Sequence, residues 1–140
     1  MIFHPQFTID LANSLSKGCM VGHLGIEITT IGADFIEGTM PVDHRTRQPF
    51  GLLHGGASVV LAETLGSIAS NAVVDTSKQY AVGLEINANH IKSAKEGKVT
   101  GTTKPIHLGK RTHIWETRIT DEANQLVCIS RFTAAILDKK

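Results

Sequence analysis

Twenty consecutive residues near the middle of the chain contain a single charged side chain. Residues 55–74 read GGASVVLAETLGSIASNAVV, and Glu63 is the only ionisable residue among them. Small and apolar residues would cover nearly the whole circumference of a helix of this length, so we expect it to be buried on more than one side. A carboxylate in such a place is unfavourable unless the protein uses it. Glu63 is therefore the first candidate for a catalytic base or nucleophile.

Two other interpretations of this stretch exist. In the first, Glu63 lies on a narrow solvated stripe of the helix with Thr64, Ser67, Ser70 and Asn71. In the second, the stretch spans a membrane, because about 20 apolar residues cross a bilayer. The charge near the middle, the polar side chains around it and the lack of basic or aromatic residues at the ends argue against a span. We therefore expect no membrane contact.

The composition is that of a globular protein with one core. Of the 140 residues, 41% are hydrophobic and 19% are charged, which predicts one domain over residues 1–140. The net charge of +1 comes without a basic tract, so a nucleic-acid partner is not expected. Cys19 and Cys128 form no paired motif, and the first residues lack the basic and apolar segments of a signal peptide. The cytoplasm is the expected location.

Hydrophobic patterns predict the remaining elements. Thr8 can cap a short helix that runs to about Leu15, and a loop over residues 43–53 precedes the long helix. Alternating apolar and polar residues predict six strands, over residues 26–31, 35–42, 80–89, 99–107, 112–120 and 126–137. Strands and helices do not alternate, so the sheet should be antiparallel with the long helix on one face. The predicted fold class is α+β.

The sequence His54-Gly55-Gly56 stands at the start of the long helix. Backbone N–H groups at a helix start have no partner within the helix, and glycine lets a ligand approach them, which suits an oxyanion derived from a carbonyl group. Alternatively, the glycines only make the turn into the helix. Glu63 follows Gly55 by eight residues, or about 12 Å along the axis, too far for both groups of one chain to act on one carbonyl. If both act, the site is shared between two copies of the chain.

Other polar residues are weaker candidates. Ser67 follows Glu63 by four residues on the same helix face, so its hydroxyl can hold the carboxylate or a water molecule. Gln48 can donate an amide N–H to a carbonyl, although either residue can equally be a solvated surface side chain. The seven histidines show no metal-binding spacing, so no metal is expected. Basic residues on the later turns could meet the phosphates of a nucleotide handle or be ordinary solvated charges, namely Lys92, Lys95, Lys98, Lys104, Lys110 and Arg111.

The stretch from Gln48 to Ser67, QPFGLLHGGASVVLAETLGS, resembles the hotdog-fold acyl-CoA thioesterases of the phenylacetate and 4-hydroxybenzoyl-CoA type. The likeness extends along nearly the whole chain through MVGHLGIE, MPVDHRTRQPFG, VGLEINANH, EGKV and PIHLGKRTHIWE. The resemblance implies a hotdog fold, in which a curved antiparallel sheet wraps the long helix. It also implies dimers that usually pair into tetramers, and an acyl-CoA as the partner of the site.

The resemblance implies roles for individual residues. Glu63 matches the catalytic carboxylate and Gly55 the oxyanion-binding N–H. Three further residues match groups that orient the thioester or assist the carboxylate, namely Gln48, His54 and Ser67. Contacts to CoA are implied for His90, Lys92 and Lys110. Relatives commonly have His-x-Arg-Pro where this chain has His90-Ile91-Lys92-Ser93, and lysine lacks the guanidinium fork that binds phosphate with two hydrogen bonds.

These features predict a thioesterase that hydrolyses an aromatic acyl-CoA to a free acid and CoA, without a metal or a cofactor. A thioester of a carrier protein is an alternative substrate. A non-catalytic binder of acyl-CoA or aromatic ligands on the same fold is a second class, which CoA binding without thiol release would reveal. A hotdog hydratase or dehydratase would need a catalytic histidine with an acidic partner on the helix, and the HGG start followed by Glu63 fits a thioesterase better.

Overall fold

The computed structural model describes residues 1–140 and contains the predicted helices and strands. Helix α1 covers Ile9–Leu15, and Thr8 caps it by accepting a hydrogen bond from the Leu11 N–H at 3.1 Å. The sequence pattern does not predict α2, a helix of four residues at Met20–His23. The long helix, α3, covers Gly55–Val73. The strands are β1 Glu27–Ile31, β2 Ile36–Pro41, β3 Gln79–His90, β4 Lys98–Leu108, β5 Thr112–Thr120 and β6 Leu126–Asp138.

The six strands form one antiparallel sheet in the order β1-β2-β4-β5-β6-β3. This confirms the predicted α+β fold with the long helix on the sheet. Bulges or irregularities interrupt the pairing of β1 with β2, β3 with β6, β4 with β5 and β5 with β6. Bulges bend strands and increase their twist, which curves the sheet around the helix. The edge strands are β1 and β3.

Two paired glycines let α3 approach the sheet closely. Gly38 on β2 and Gly101 on β4 are partners in the ladder, and a Cβ atom on them would lie 2.8 Å and 2.7 Å from the Leu65 side chain. Leu65 is fully buried there. Gly66 on the helix meets the Phe132 ring in the same way, at 2.5 Å from its missing Cβ. Such close contact keeps the dispersion energy of a well-packed core.

None of the helices combines the length and apolar character that crossing a bilayer requires.

The Trp115 indole lies in the core and is hydrogen-bonded to α3. Its Nε1–H donates to Ser70 Oγ at 2.7 Å, and both residues are fully buried. The stripe interpretation is therefore wrong for Ser70, which faces the sheet because its hydroxyl satisfies a buried indole N–H. The other polar residues of that stripe are half-buried, namely Glu63, Thr64, Ser67 and Asn71.

Asn71 joins the last turns of α3 to the edge strand β3. Its Oδ1 accepts a hydrogen bond from the Ala81 N–H at 2.9 Å, and its Nδ2 donates to the Ala81 carbonyl at 3.4 Å. The same Nδ2 donates to the Ser67 carbonyl at 3.0 Å. Because β3 has a neighbouring strand on one side only, the side chain of Asn71 satisfies backbone groups that would otherwise lack a partner.

Replacing Ser70 with alanine should destabilise the protein, because the buried Trp115 N–H would lose its acceptor. An unsatisfied buried donor costs about 1–3 kcal/mol. Urea denaturation followed by the fluorescence of Trp115, the single tryptophan, measures the loss. Ser14→Ala on the exposed face of α1 is the control. Equal free energies of unfolding for the two variants would show that the indole bond does not stabilise the fold.

Candidate active site

The loop before α3 holds Gln48 in a tight turn. The Gly51 N–H donates to the Gln48 carbonyl at 2.9 Å, and Gly51 has a φ of 79°, a conformation that favours glycine. A bridge between Arg47 and Leu53 closes the turn. The side-chain oxygen of Gln48 accepts a hydrogen bond from the Phe50 N–H. The NH₂ group is therefore the part of the Gln48 amide that can donate to a ligand.

Gly55 presents a backbone N–H that has no partner in the chain. His54 is the N-cap of α3, and its Nδ1 accepts a hydrogen bond from the Gly56 N–H at 2.7 Å. The Ala57 N–H donates to the His54 carbonyl at 3.0 Å. These bonds leave the Gly55 N–H at the positive end of the helix dipole, where it can stabilise an oxyanion. His54, which the resemblance assigns to orienting the thioester, caps the helix in this structure.

His90 lies directly against Gly55. A Cβ atom at Gly55 would be 2.7 Å from His90 Nε2, so a larger residue would have to displace the imidazole. A cavity of about 320 Å³ opens beside this contact, and its lining includes Gln48, Gly55, His90 and Lys92. One chain therefore brings together four of the predicted site residues, which are distant in the sequence.

Lys92 is already paired within the chain. Its Nζ lies 2.8 Å from Asp121 Oδ2 and also donates to Gln125 Oε1. The hydrogen bond from Lys92 holds the pKa of Asp121 below its usual value, and the Gln125 N–H adds to the effect. Because a lysine ammonium has three N–H donors, one of them is left for a ligand in the cavity.

Lys110 lies apart from these residues. It belongs to the turn between β4 and β5, whereas Lys92 meets Asp121 just beyond the other end of β5. The strand Thr112–Thr120 separates the two ends of the sheet by about 27 Å at 3.4 Å per residue. Within one chain, Lys110 is therefore not part of the cavity that Lys92 lines.

Glu63 and Ser67 line a second, larger cavity. It has a volume of about 650 Å³ and lies between α1 and α3. Ile68 on α3 and three residues in and around α1, namely Phe7, Leu11 and Leu15, provide apolar walls. A carboxylate beside an apolar cavity suits a ligand that carries a reactive carbonyl on an apolar group.

The Glu63 carboxylate packs against bare backbone on β3. A Cβ atom at Gly83 would lie 2.7 Å from Glu63 Oε1, so only glycine leaves room for the carboxylate there. No side chain of the protein forms a hydrogen bond or ion pair with it. Ser67 lines the same cavity, but its hydroxyl does not bond to the Glu63 carboxylate. The half-buried carboxylate is thus free to act on a ligand.

One chain does not bring Glu63 and Gly55 to the same ligand. The two residues line different cavities. Helix α3 is continuous from Gly55 to Val73, so the separation of eight positions between Gly55 and Glu63 spans about 12 Å along the axis. A site that uses both groups must take them from two chains.

Two parts of these cavities go beyond the sequence predictions. The pattern marks α1 only as a short amphipathic helix, and its place opposite Glu63 depends on tertiary packing. Gly83 interrupts a predicted strand, which is a signal that something approaches the backbone closely. That signal does not identify Glu63 as the neighbour.

A long helix on an antiparallel sheet, with an unpaired N–H at its start and a free carboxylate two turns further on, is the arrangement of a hotdog thioester hydrolase. Comparison with known proteins agrees. The chain belongs to the Thioesterase superfamily, which it matches over residues 50–128. The family and the hydrolase activity predicted from the sequence are thereby confirmed.

Several named proteins are similar over nearly the whole chain. Identity is 54% over 137 residues with the 1,4-dihydroxy-2-naphthoyl-CoA hydrolase of Escherichia coli (strain K12), covering 98% of this chain and 100% of that protein. It is 49% over 137 residues with the proofreading thioesterase EntH of Cronobacter sakazakii, covering 98% and 99%. The crystal structure of thioesterase HI1161 from Haemophilus influenzae has a TM-score of 0.95 at 48% identity, covering 99% of this chain and 96% of that one.

Replacing Gly83 with alanine should push the Glu63 carboxylate out of its place, since the new methyl group would lie 2.7 Å from Oε1. A displaced catalytic group costs about 10²-fold in rate, so we expect kcat for an aryl-CoA to fall by roughly that factor with KM little changed. Steady-state kinetics with circular dichroism as a folding check measures the effect. Asp34→Ala, at an exposed position in the turn between β1 and β2, is the control. An unchanged kcat in Gly83→Ala would contradict the contact's importance.

Asp43 and Arg45 hold the start of the loop that carries Gln48. Arg45 Nη2 lies 2.7 Å from Asp43 Oδ2, and the Arg45 backbone N–H donates to Oδ1 at 2.9 Å. Arg45 Nη1 also donates to the His23 carbonyl at 3.3 Å, which connects the loop to α2. The hydrogen bonds from the Arg45 side chain and backbone lower the pKa of Asp43 from 3.8 to about 2.

Stability in acid should therefore depend on Asp43. Its pKa is lower in the folded state, so its carboxylate stabilises the fold above about pH 4, and this contribution is lost as the pH falls through about 2. The difference in Tm between the protein and Asp43→Asn should be constant above about pH 5 and shrink toward about pH 2. Thermal unfolding across this range measures it, with Asp34→Asn, an exposed turn residue, as control. A difference in Tm that stays the same at every pH would contradict this prediction.

Proposed function

We propose that residues 1–140 act as one domain that hydrolyses an aromatic acyl-CoA to a free acid and CoA. One observation carries the proposal: the Gly55 N–H is unpaired beside Gln48, and the Glu63 carboxylate is unpaired beside a cavity large enough for an acyl group. Oxyanion donors and a carboxylate are the two kinds of group that thioester hydrolysis uses. The residues present call for no metal or cofactor.

Glu63 acts on the carbonyl carbon of the thioester, either by adding to it directly or by taking a proton from the water that adds. The carbonyl oxygen becomes an anion, to which the Gly55 N–H and the Gln48 amide donate hydrogen bonds. The carbon–sulfur bond then breaks and CoA leaves as a thiolate. After direct attack, water cleaves the mixed anhydride and restores Glu63. Ser67, which lines the same cavity and does not bond to the carboxylate in the free chain, holds the attacking water, and His54 orients the thioester.

The smaller cavity suits the CoA part of the substrate. His90 and Lys92 line it, and the third N–H of the Lys92 ammonium can bind a phosphate while the other two remain on Asp121 and Gln125. Because Lys110 lies at the far end of the same sheet, it contributes to a CoA site only from another copy of the chain.

The larger cavity suits a flat apolar acyl group. By its name, the Escherichia coli relative acts on 1,4-dihydroxy-2-naphthoyl-CoA, and we extend this substrate to the present chain, which places it in menaquinone synthesis. The similarity to EntH favours a second candidate, a proofreading thioesterase that releases wrong acyl groups from carrier proteins. Thiol release from a panel of aryl-CoA, fatty acyl-CoA and aryl carrier-protein thioesters distinguishes the two. Binding without thiol release would instead identify a non-catalytic binding protein.

Two copies of the chain complete the site. Gly55 and Glu63 of one chain are separated by about 12 Å of helix, so each needs its counterpart from a partner. The edge strand β3 exposes apolar side chains that pairing would cover, with Val82 at 39% and Leu84 at 63% exposed. The assembly is a dimer with two shared sites, and such dimers pair into a tetramer. A CoA thioester substrate and the two free cysteines fit the reducing cytoplasm.

Replacing Glu63 with glutamine should remove activity and leave the structure intact. The change keeps the volume but removes the nucleophile or base, so kcat should fall by about 10²–10⁴ while substrate binding is largely kept. Glu85→Gln, which makes the same change at an exposed carboxylate on β3, is the control. Near-normal turnover in Glu63→Gln would refute the assignment. In a single turnover in ¹⁸O-water, label found in Glu63 would identify direct attack.

Mixing two inactive variants should restore activity if the sites are shared. In a dimer of one Glu63→Gln chain and one Gln48→Ala chain, one site carries both changes and the other carries neither. Random pairing makes half of the dimers mixed, so the expected activity is about a quarter of that of the unchanged protein. Light scattering should report a multiple of 15.1 kDa. A mixture no more active than its parents, or an active monomer, would show that each site lies within one chain.

A further inference from the structure

Helix α1 forms the outer wall of the larger cavity, opposite Glu63. Leu11 and Leu15 line this cavity, yet they remain 43% and 73% exposed, so α1 is packed on only part of its circumference. Its seven residues are too few for a helix that is stable by itself. The width of the cavity therefore depends on what fixes α1 to the rest of the fold.

Asn13 provides this attachment. Its Oδ1 accepts a hydrogen bond from the Ile28 N–H at 2.8 Å, and its Nδ2 donates to the Ile28 carbonyl at 3.0 Å. It is the one side chain of α1 that bonds to the sheet; the hydroxyl of Ser14 bonds back to the Leu11 carbonyl within the helix. The half-buried amide thus fixes both the distance and the orientation of α1 relative to β1.

The position of Ile28 explains why an amide is suited to this role. β1 is an edge strand, and Ile28 faces Gly38 of β2 on one side only. On its open side, Ile28 presents one donor and one acceptor, spaced as in a strand pair. The side chain of asparagine has one acceptor and one donor group and can satisfy both. Alanine could satisfy neither, and aspartate could satisfy only the donor.

We propose that Asn13 is a positioning residue for the acyl group: it sets the width of the cavity between α1 and α3, and with it the preference for a large flat acyl group. The inference rests on the proposed function, because it takes the larger cavity as the acyl site. Asn13 does not touch the reacting atoms, which lie on the side of α3. Its loss should therefore weaken the binding of large acyl groups and leave the chemical step unchanged.

The test compares Asn13→Ala with the unchanged protein on 2-naphthoyl-CoA and acetyl-CoA. KM for 2-naphthoyl-CoA should rise by about tenfold with kcat within about twofold, while both constants for acetyl-CoA stay the same, because an acetyl group does not reach α1. Ser14→Ala, the neighbouring residue on α1, should change neither substrate's constants. Equal effects of Asn13→Ala on both substrates, or no effect, would overturn the proposal.

A second variant and a binding measurement keep the test decisive. Asn13→Asp keeps an acceptor for the Ile28 N–H but cannot donate to the Ile28 carbonyl. For this variant, the ratio of KM for 2-naphthoyl-CoA to KM for acetyl-CoA should therefore fall between the ratios of the unchanged protein and of Asn13→Ala. If Asn13→Ala does not fold, an unchanged ratio in Asn13→Asp overturns the proposal.

Calorimetry with the 2-naphthylmethyl thioether of CoA, which cannot be hydrolysed, separates this inference from the proposed function. Asn13→Ala should bind the thioether about tenfold more weakly and free CoA equally well. A protein that hydrolyses no acyl-CoA contradicts the proposed function. Equal thioether affinities in an active protein contradict only the role of Asn13.

Discussion

Leu65 of α3 fills the space that Gly38 and Gly101 leave on two adjacent strands, and this contact sets how close the helix lies to the sheet. A side chain at either glycine would push the helix outward, because the methyl group would lie within 2.8 Å of Leu65. The same contact fixes the rotation of α3 about its axis. With Leu65 and Ser70 directed at the sheet, Glu63 and Ser67 are left on the side that faces α1.

The Gly55 N–H and the Glu63 carboxylate lie far apart along α3, and at a shorter distance they would bond to each other. An unpaired N–H at a helix start attracts any anion, including a carboxylate of the same protein. With about 12 Å of helix axis between the two residues, the Glu63 carboxylate cannot bond to the Gly55 N–H of its own chain. Each group therefore stays available to a ligand, and the rigid helix between them keeps the separation constant. In the proposed shared site, the length of α3 rather than a flexible loop sets how far apart these two groups of one chain lie.

Much of this architecture follows from local patterns. Period-two alternation marks the strands, and the near absence of charge over residues 55–74 marks both α3 and its one carboxylate. The separation of Gly55 from Glu63 follows from the helical rise alone. Contacts between distant segments could not be predicted in this way. Glu63 meets Gly83 twenty residues later because β3 turns back along α3. Lys92 pairs with Asp121 because the antiparallel pairing of β3 with β6 brings the end of β3 beside the turn between β5 and β6.

At each edge of the sheet, an asparagine side chain forms hydrogen bonds with the outward backbone groups of one strand residue. Asn13 occupies the outward backbone groups of Ile28 on β1, and Asn71 occupies those of Ala81 on β3. An edge with free backbone groups can recruit a strand from any other chain, which leads to aggregation. A side-chain amide occupies that edge without offering a new one. On β3, Asn71 occupies the backbone only near the beginning of the strand, which continues to His90. A strand from another chain can therefore pair with β3 only beyond Ala81. The occupied groups of Ala81 thus limit the registers in which a strand of a second chain can pair with β3.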